Sequence, residues 1–312
     1  MSRRDWMLHL GLVALLLALH FVLPAYHHGN MARIMVLAVY AMGYNLAFGY
    51  SGLLSLGHAM FFAAGMYGTG LASLHLGWSA APAWGLGLVC GAALALAVGA
   101  LALRTAGVAF MIVTLMFSQA FYLAILYFGD LTHGDEGFVL PAATRQVAGL
   151  ALGGEGIRYL VAWGLFSVCL IGSLWLVRHR FGRVLIAIRE NAERAQLLGY
   201  DIRARKLVAL VLSGTMSAAA GGAYGVLFGY AGASFAAVQY SIFPLLYVLL
   251  GGAGTMIGPF LGTLFMFYLI DIGTGITQAY MLLAGVALVL LTLFAPQGIA
   301  GELRRRIWSR LP

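Results

Sequence analysis

Long apolar runs follow one another almost without interruption along this chain, and short polar or glycine-rich stretches mark where each one stops. The runs occupy Trp6–Leu23, Arg33–Phe48, Ser55–His75, Ala83–Leu103, Gly107–Phe128, Tyr159–Val177, Leu207–Phe228, Tyr240–Leu250, Phe260–Thr274 and Tyr280–Phe294. A helix needs roughly 20 apolar residues to cross a bilayer, so the pattern predicts an all-α, polytopic transmembrane helical bundle of about ten spans. One domain covering residues 1–312 is expected.

A single long polar segment with helical character breaks the sequence of spans, RHRFGRVLIAIRENAERAQLLGYDIRARK at residues 178–206. Within it Val184, Leu185, Ile188, Ala192, Ala195 and Leu198 recur at helical spacing, while Arg189, Glu190, Glu193 and Arg194 fall on other faces. Gly199 stands where a helix stop belongs. The segment therefore reads as a short amphipathic helix between two spans. Eight basic residues against three acids give it a charge of +5.

Charge settles the orientation that hydropathy leaves open. Basic loops stay on the cytoplasmic side, so residues 178–206 are expected there, together with Arg3 and Arg4 at the N-terminus and Arg304, Arg305 and Arg306 at the C-terminus. The stretch 129–157 has four acids and one arginine, a net of −3, and belongs on the opposite side. An N-terminal run after two arginines also suits a secretory signal, but no small-x-small cleavage site follows it, and it reads as a retained first span. Hydrophobic residues make up 62% of the chain and charged residues 9%, which excludes a soluble fold. The net charge of +8 is concentrated in the termini and the basic loop, so topology accounts for it better than nucleic-acid binding. The 42 glycines and 13 methionines suit closely packed membrane helices.

Two stretches depart from regular helix. Residues 49–70 combine six glycines with Ser51, Ser55 and His58, and GGAGTMIG at 251–258 interrupts the last third of the chain. Glycine at this density weakens a helix, and broken helices are where transporters expose backbone to a cavity. Asn45, Ser51, Ser55, His58, Gln119 and Asp271 are the polar groups placed inside the bilayer. His58 has two readings, a hydrogen bond to a neighbouring helix or a place beside a translocation path, and Asp271 can face the membrane interface. Asn45, Ser51, Gly52, Ser55 and His58, with Gly251, Gly252 and Gly254, are the candidate path lining.

Nothing in the chain supports catalysis. Lys206 is the only lysine, and the G-x-x-x-x-G-K-[ST] phosphate loop does not occur. GGAGTMIG lacks the βαβ setting of a dinucleotide fingerprint, and His27–His28 alone do not make a metal site. No cofactor and no metal are expected. The basic helix by itself suits either a partner surface or the anionic inner leaflet.

Glu193, Ala195 and Gly199, spaced E-x-A-x-x-x-G after FGR, resemble the EAA-type coupling loop of ABC importer permeases, although the I-x-L-P ending of that loop is absent. FGRVLIAIRENAERAQLLGYDIRARKLVALVLSGTMSAAAGG, LLGGAGTMIGPFLG and FAPQGIAG are similar to the branched-chain amino-acid permease family, LivM type, and LTHGDEGF resembles an outer loop of that family. The resemblance runs from about residue 33 to 301. It implies a bacterial inner-membrane subunit without ATPase activity of its own, working with a second permease chain, two cytoplasmic ATPase chains and a periplasmic substrate-binding protein. It further implies that Arg183, Arg189, Glu190, Glu193, Ala195 and Gly199 couple the bundle to the ATPase. Urea or short-amide permeases share these motifs. An autonomous secondary transporter would carry a relay of acids or histidines deep in several spans, and Asp271 and His58 alone do not make one.

Overall fold

The computed structural model describes residues 3–147, 149–276, 279–295 and 297–307. The helices are α1 (Arg3–Leu19), α2 (Ala25–Asn45), α3 (His58–His75), α4 (Ala80–Ala102), α5 (Gly107–Tyr127), the single turn α6 (Gly129–Thr132), α7 (Glu155–Arg178), α8 (Arg180–Glu190), α9 (Ala192–Leu197), α10 (Ile202–Phe228), α11 (Val238–Gly251), α12 (Gly258–Ile276), α13 (Tyr280–Phe294) and α14 (Gly298–Ile307). Among the described residues six segments are long and apolar enough to cross a membrane: Ala25–Tyr50, α4, α5, α7, α10 and α12. The chain is an all-α polytopic membrane protein.

The bundle is built around α2, whose most apolar window is 89% buried and which packs against α7, α10, α11 and α12. Beside it α3, α4 and α10 form a second layer of close backbone contacts. A Cβ at Gly65 would run into the backbone of Ala218, and one at Gly221 into the backbone of Phe62. Glycine at these crossings lets the helices approach until dispersion holds them, which is what apolar surroundings require. α4 and α5 turn mostly exposed apolar side chains outward, including Val89, Leu96, Val108 and Met116.

One end of the bundle carries two small ribbons. β1 (Phe138–Val139) pairs antiparallel with β4 (Tyr230–Ala231), and β2 (Gln146–Val147) with β3 (Leu150–Ala151). Arg145 staples this ribbon end to α10, donating Nε to the Val226 carbonyl at 2.6 Å and Nη2 to the Leu227 carbonyl at 2.9 Å, where the helix has run out of its own donors. The opposite, basic end holds α8 and α9.

Two expectations need correction. Between the runs Trp6–Leu23 and Arg33–Phe48 the sequence reads as a short outer turn at Pro24–Asn30, but the second long helix already begins at Ala25. His28 is held there by His20, with Nε2 and Nδ1 2.9 Å apart, and stacks on Tyr159 at 4.4 Å, while His27 Nδ1 lies 3.0 Å from the Tyr268 hydroxyl. Neighbouring helices supply the partners that water would supply in a turn. The amphipathic segment is also two helices rather than one. Asn191 adopts extended backbone (φ −156°, ψ 102°) between α8 and α9, and its side chain accepts from the Arg194 N–H at 2.8 Å, restarting the helix as an N-cap.

Candidate functional site

α2 does not end cleanly. After Asn45 the chain widens into a π-helical turn, Leu46–Tyr50, and then runs irregularly to α3 at His58. Gly52 takes a left-handed conformation (φ +71°), and the Ser51 hydroxyl donates back to the Ala47 carbonyl at 2.6 Å, so the turn folds onto itself. A second break lies between α11 and α12. Gly252 (φ +114°) and Gly254 (φ +78°) reverse the chain there, and the Thr255 hydroxyl donates to the Gly252 carbonyl at 2.7 Å.

The two breaks, far apart in sequence, meet at one side chain. Asn45 is 2% exposed, its Nδ2 donates to the Thr255 carbonyl at 2.8 Å, and its Oδ1 accepts from the Gly254 N–H at 2.9 Å. Both halves of the amide are satisfied by backbone that the second break has freed from helical bonding. Gly49 is pressed against this contact, since a Cβ there would meet the Asn45 amide and the Gly254 nitrogen.

α8 is attached to the same place. Arg189 donates from Nη1 to the Gly49 carbonyl, and its aliphatic stem lies beside Gly52, where an added Cβ would be 3.3 Å from Cγ. Leu185 of α8 is fully buried with Leu46, Tyr50, Val177 and Ala209, and Met256 of the second break packs on the same cluster. The basic helix and both breaks thus form one connected body.

The predicted residues separate into three groups. Asn45, Gly252, Gly254 and Arg189 come together as described. Gly251 supports them from within α11, where its missing Cβ makes room for the backbone of Gly258. Ser51, Ser55 and His58 are buried nearby and bonded locally: Ser55 Oγ accepts from the Gly57 N–H at 3.2 Å, and its carbonyl accepts from the Tyr44 hydroxyl at 3.0 Å. His58 Nε2 lies 2.8 Å from Ser213 Oγ, and that hydroxyl donates to the Gly43 carbonyl at 2.6 Å, so the imidazole is the donor to α10 through Nε2–H. On the loop, Arg183, Glu190 and Glu193 are exposed, Ala195 is 2% exposed, and Gly199 is left-handed (φ +85°) with open space about it.

Sequence reasoning missed three features. Leu198, read as part of the buried stripe, is 73% exposed, and Leu197 beside it is 88% exposed, so α9 ends in bare apolar surface. Next to it an open cleft of about 960 Å³ lies between Gly52–Leu54, the α4–α5 turn and the start of α10. Arg189 turns inward to the breaks instead of only presenting charge. Its position on the hydrophilic flank of the helix gave no signal of that.

The family described as branched-chain amino acid transport system / permease component matches residues 29–295, a region that contains α3 to α13, all of α2 after its first turn, and every residue of the site. The chain belongs to this family. It is 28% identical over 290 residues to the high-affinity branched-chain amino acid transport system permease protein LivM of Escherichia coli K12, covering 85% of this chain and 68% of that protein. A probable LivM permease of Methanocaldococcus jannaschii is 29% identical over 210 residues, 61% of this chain and 59% of its own length. The autoinducer 2 import system permease LsrC of Klebsiella pneumoniae is 30% identical over 112 residues, 34% of this chain and 32% of its own. No solved structure matches the chain.

Gly52→Val is expected to lower transport several-fold while leaving the folded bundle intact, since a branched residue forced into the left-handed region costs about 1–3 kcal/mol. It also crowds Arg189. Uptake assays on purified, reconstituted variant check this, and uptake equal to the parent would remove Gly52 from the mechanism.

Proposed function

We propose that this chain is the transmembrane subunit of an ABC importer that moves branched-chain, aliphatic amino acids into the cytoplasm of a bacterium across its inner membrane. Its work is conformational rather than covalent. Two ATPase subunits beneath the bundle close on ATP, α8 and α9 move with them, and the breaks at 46–57 and 252–257 rearrange to admit substrate delivered by a periplasmic binding protein. A second, related permease chain completes the bundle as a heterodimer. The observation that carries the reading is the bridge from Arg189 to Gly49 and from Asn45 to Gly254 and Thr255, because it joins the loop helix to both broken spans.

In this reading residues 1–312 form one transmembrane domain of about ten spans, counting α1, α3, α11 and α13 beside the six longer segments. Both termini and the coupling loop 178–206 are cytoplasmic, and 129–157 is periplasmic. Single-cysteine labelling in a Cys90→Ser, Cys169→Ser background is expected to modify Asp135→Cys from the periplasmic side and Glu193→Cys from the cytoplasmic side. Modification of Asp135→Cys from the cytoplasm alone overturns the span count.

Function itself is tested by reconstituting the full complex with its binding protein. ATP-dependent uptake of leucine, isoleucine or valine is expected, without uptake of urea or acetamide. Urea uptake would move the assignment to the amide-transporting reading, and uptake without ATPase subunits to an autonomous transporter.

A further inference from the structure

Two arginines share one aromatic ring toward the ribbon end of the bundle. Arg33 lies about 12 Å into α2 from Ala25, at a rise of 1.5 Å per residue, and it is exposed although its neighbours on that helix are buried. Its guanidinium carbon is 5.1 Å from the centre of the Phe228 ring, and that of Arg158, in the first turn of α7, is 5.3 Å from the same centre.

Among the described residues neither guanidinium has a carboxylate partner. Arg158 donates Nη2 to the Gly153 carbonyl at 2.7 Å, while its Nε is buried without an acceptor. Asp271 is engaged elsewhere, accepting from the Tyr26 hydroxyl at 2.5 Å and from Asn30 Nδ2 at 3.4 Å. Two like charges held over one ring, with no carboxylate bonded to either among the described residues, repel each other, and an anion received between them would relieve that repulsion. Guanidinium is the cation best shaped to take a carboxylate by two parallel bonds. Around it stand half-buried rings: Tyr224 is 4.6 Å from Phe228 and 5.2 Å from Phe235, and Phe235 is 4.9 Å from Tyr240. That wall suits an aliphatic side chain.

We propose that Arg33 and Arg158 form an entry site for the α-carboxylate of the transported amino acid, with its apolar side chain laid against Tyr224 and Phe235. The site rests on the importer reading and adds where substrate first meets the chain. A lipid phosphate presents similar oxygens, so the lipid is varied in the test.

The nucleotide-free complex is placed in nanodiscs of phosphatidylcholine alone, and binding of radiolabelled leucine is measured with leucinamide, which lacks the carboxylate, as competitor. Leucine is expected to bind, leucinamide to compete at least tenfold less well, and Arg33→Gln and Arg158→Gln each to weaken leucine at least tenfold, with Arg33→Lys between. If Arg33→Gln does not assemble, Arg158→Gln decides. Equal competition by leucinamide, or parental binding in the assembled variants, overturns the site. So does leucine binding that the addition of anionic lipid abolishes, which would assign the pair to headgroups. A parent complex that imports leucine without binding it here removes the site and leaves the importer reading standing. A parent that imports no branched-chain amino acid removes the importer reading itself.

Discussion

Asn45→Leu is expected to reduce uptake by at least about tenfold and to lower the melting temperature of the purified subunit. The substitution keeps the number and branching of side-chain heavy atoms but deletes the donor to the Thr255 carbonyl and the acceptor of the Gly254 N–H. Each buried polar group left without a partner costs about 1–3 kcal/mol, and a change of about 1.4 kcal/mol already shifts a two-state population tenfold. Helix propensity cannot compensate, since leucine favours continuing α2 through the π-turn that the second break requires. Asn45→Asp retains the acceptor and loses the donor, so an intermediate loss is expected. Gly49→Ala attacks the same contact from the other side, because its methyl would sit 2.6 Å from the Gly254 nitrogen. Uptake assays and thermal unfolding decide the matter. Parental values for Asn45→Leu in both would show that the breaks move independently.

How far this arrangement was visible in the sequence depends on the range of the interaction. Tyr280–Phe294 is an apolar run flanked by polar residues, and the helix has the same bounds. The start of α2 was misplaced because His27, His28 and Asn30 look like a solvated turn, whereas their partners are residues of other helices. Glycine density located both breaks. It contained no information that Asn45 joins them, since the pairing with Thr255 spans 210 positions and leaves no local period. The split at Asn191 was hidden for the opposite reason: Ile188, Ala192 and Ala195 stay in helical phase across it, so periodicity passes through a break that only the backbone angles reveal. Arg189 illustrates the limit of charge reading, because a residue on the hydrophilic flank was still long enough to reach Gly49.

Changes on the loop are expected to fall into two kinds, according to whether the side chain faces away from the bundle or into it. Glu193 is exposed and α9 ends in the bare surface of Leu197 and Leu198, so Glu193→Arg is expected to weaken ATPase association, as a reversed charge does at a complementary interface. Gly199→Val has open space around it and meets only the backbone strain of φ +85°, about 1–3 kcal/mol. That strain redirects the exit from α9, and hydrolysis stimulated by loaded binding protein is expected to fall with the bundle still folded. Arg189→Ala differs from both. It leaves the exposed end of α9 untouched and removes the link to Gly49, so the ATPase is expected to bind and hydrolyse ATP while uptake drops by about tenfold, the equivalent of one charge-assisted hydrogen bond at about 1.5–3 kcal/mol. Pull-down of the ATPase, ATP turnover and uptake, measured on the same proteoliposomes, separate the three outcomes. If α8 and α9 instead lay on the leaflet, all three variants would bind the ATPase normally and respond to the anionic lipid content. If Arg189→Ala lost ATPase association along with transport, its role would be docking, and the connection from the loop to the breaks would not be the route by which hydrolysis moves the bundle.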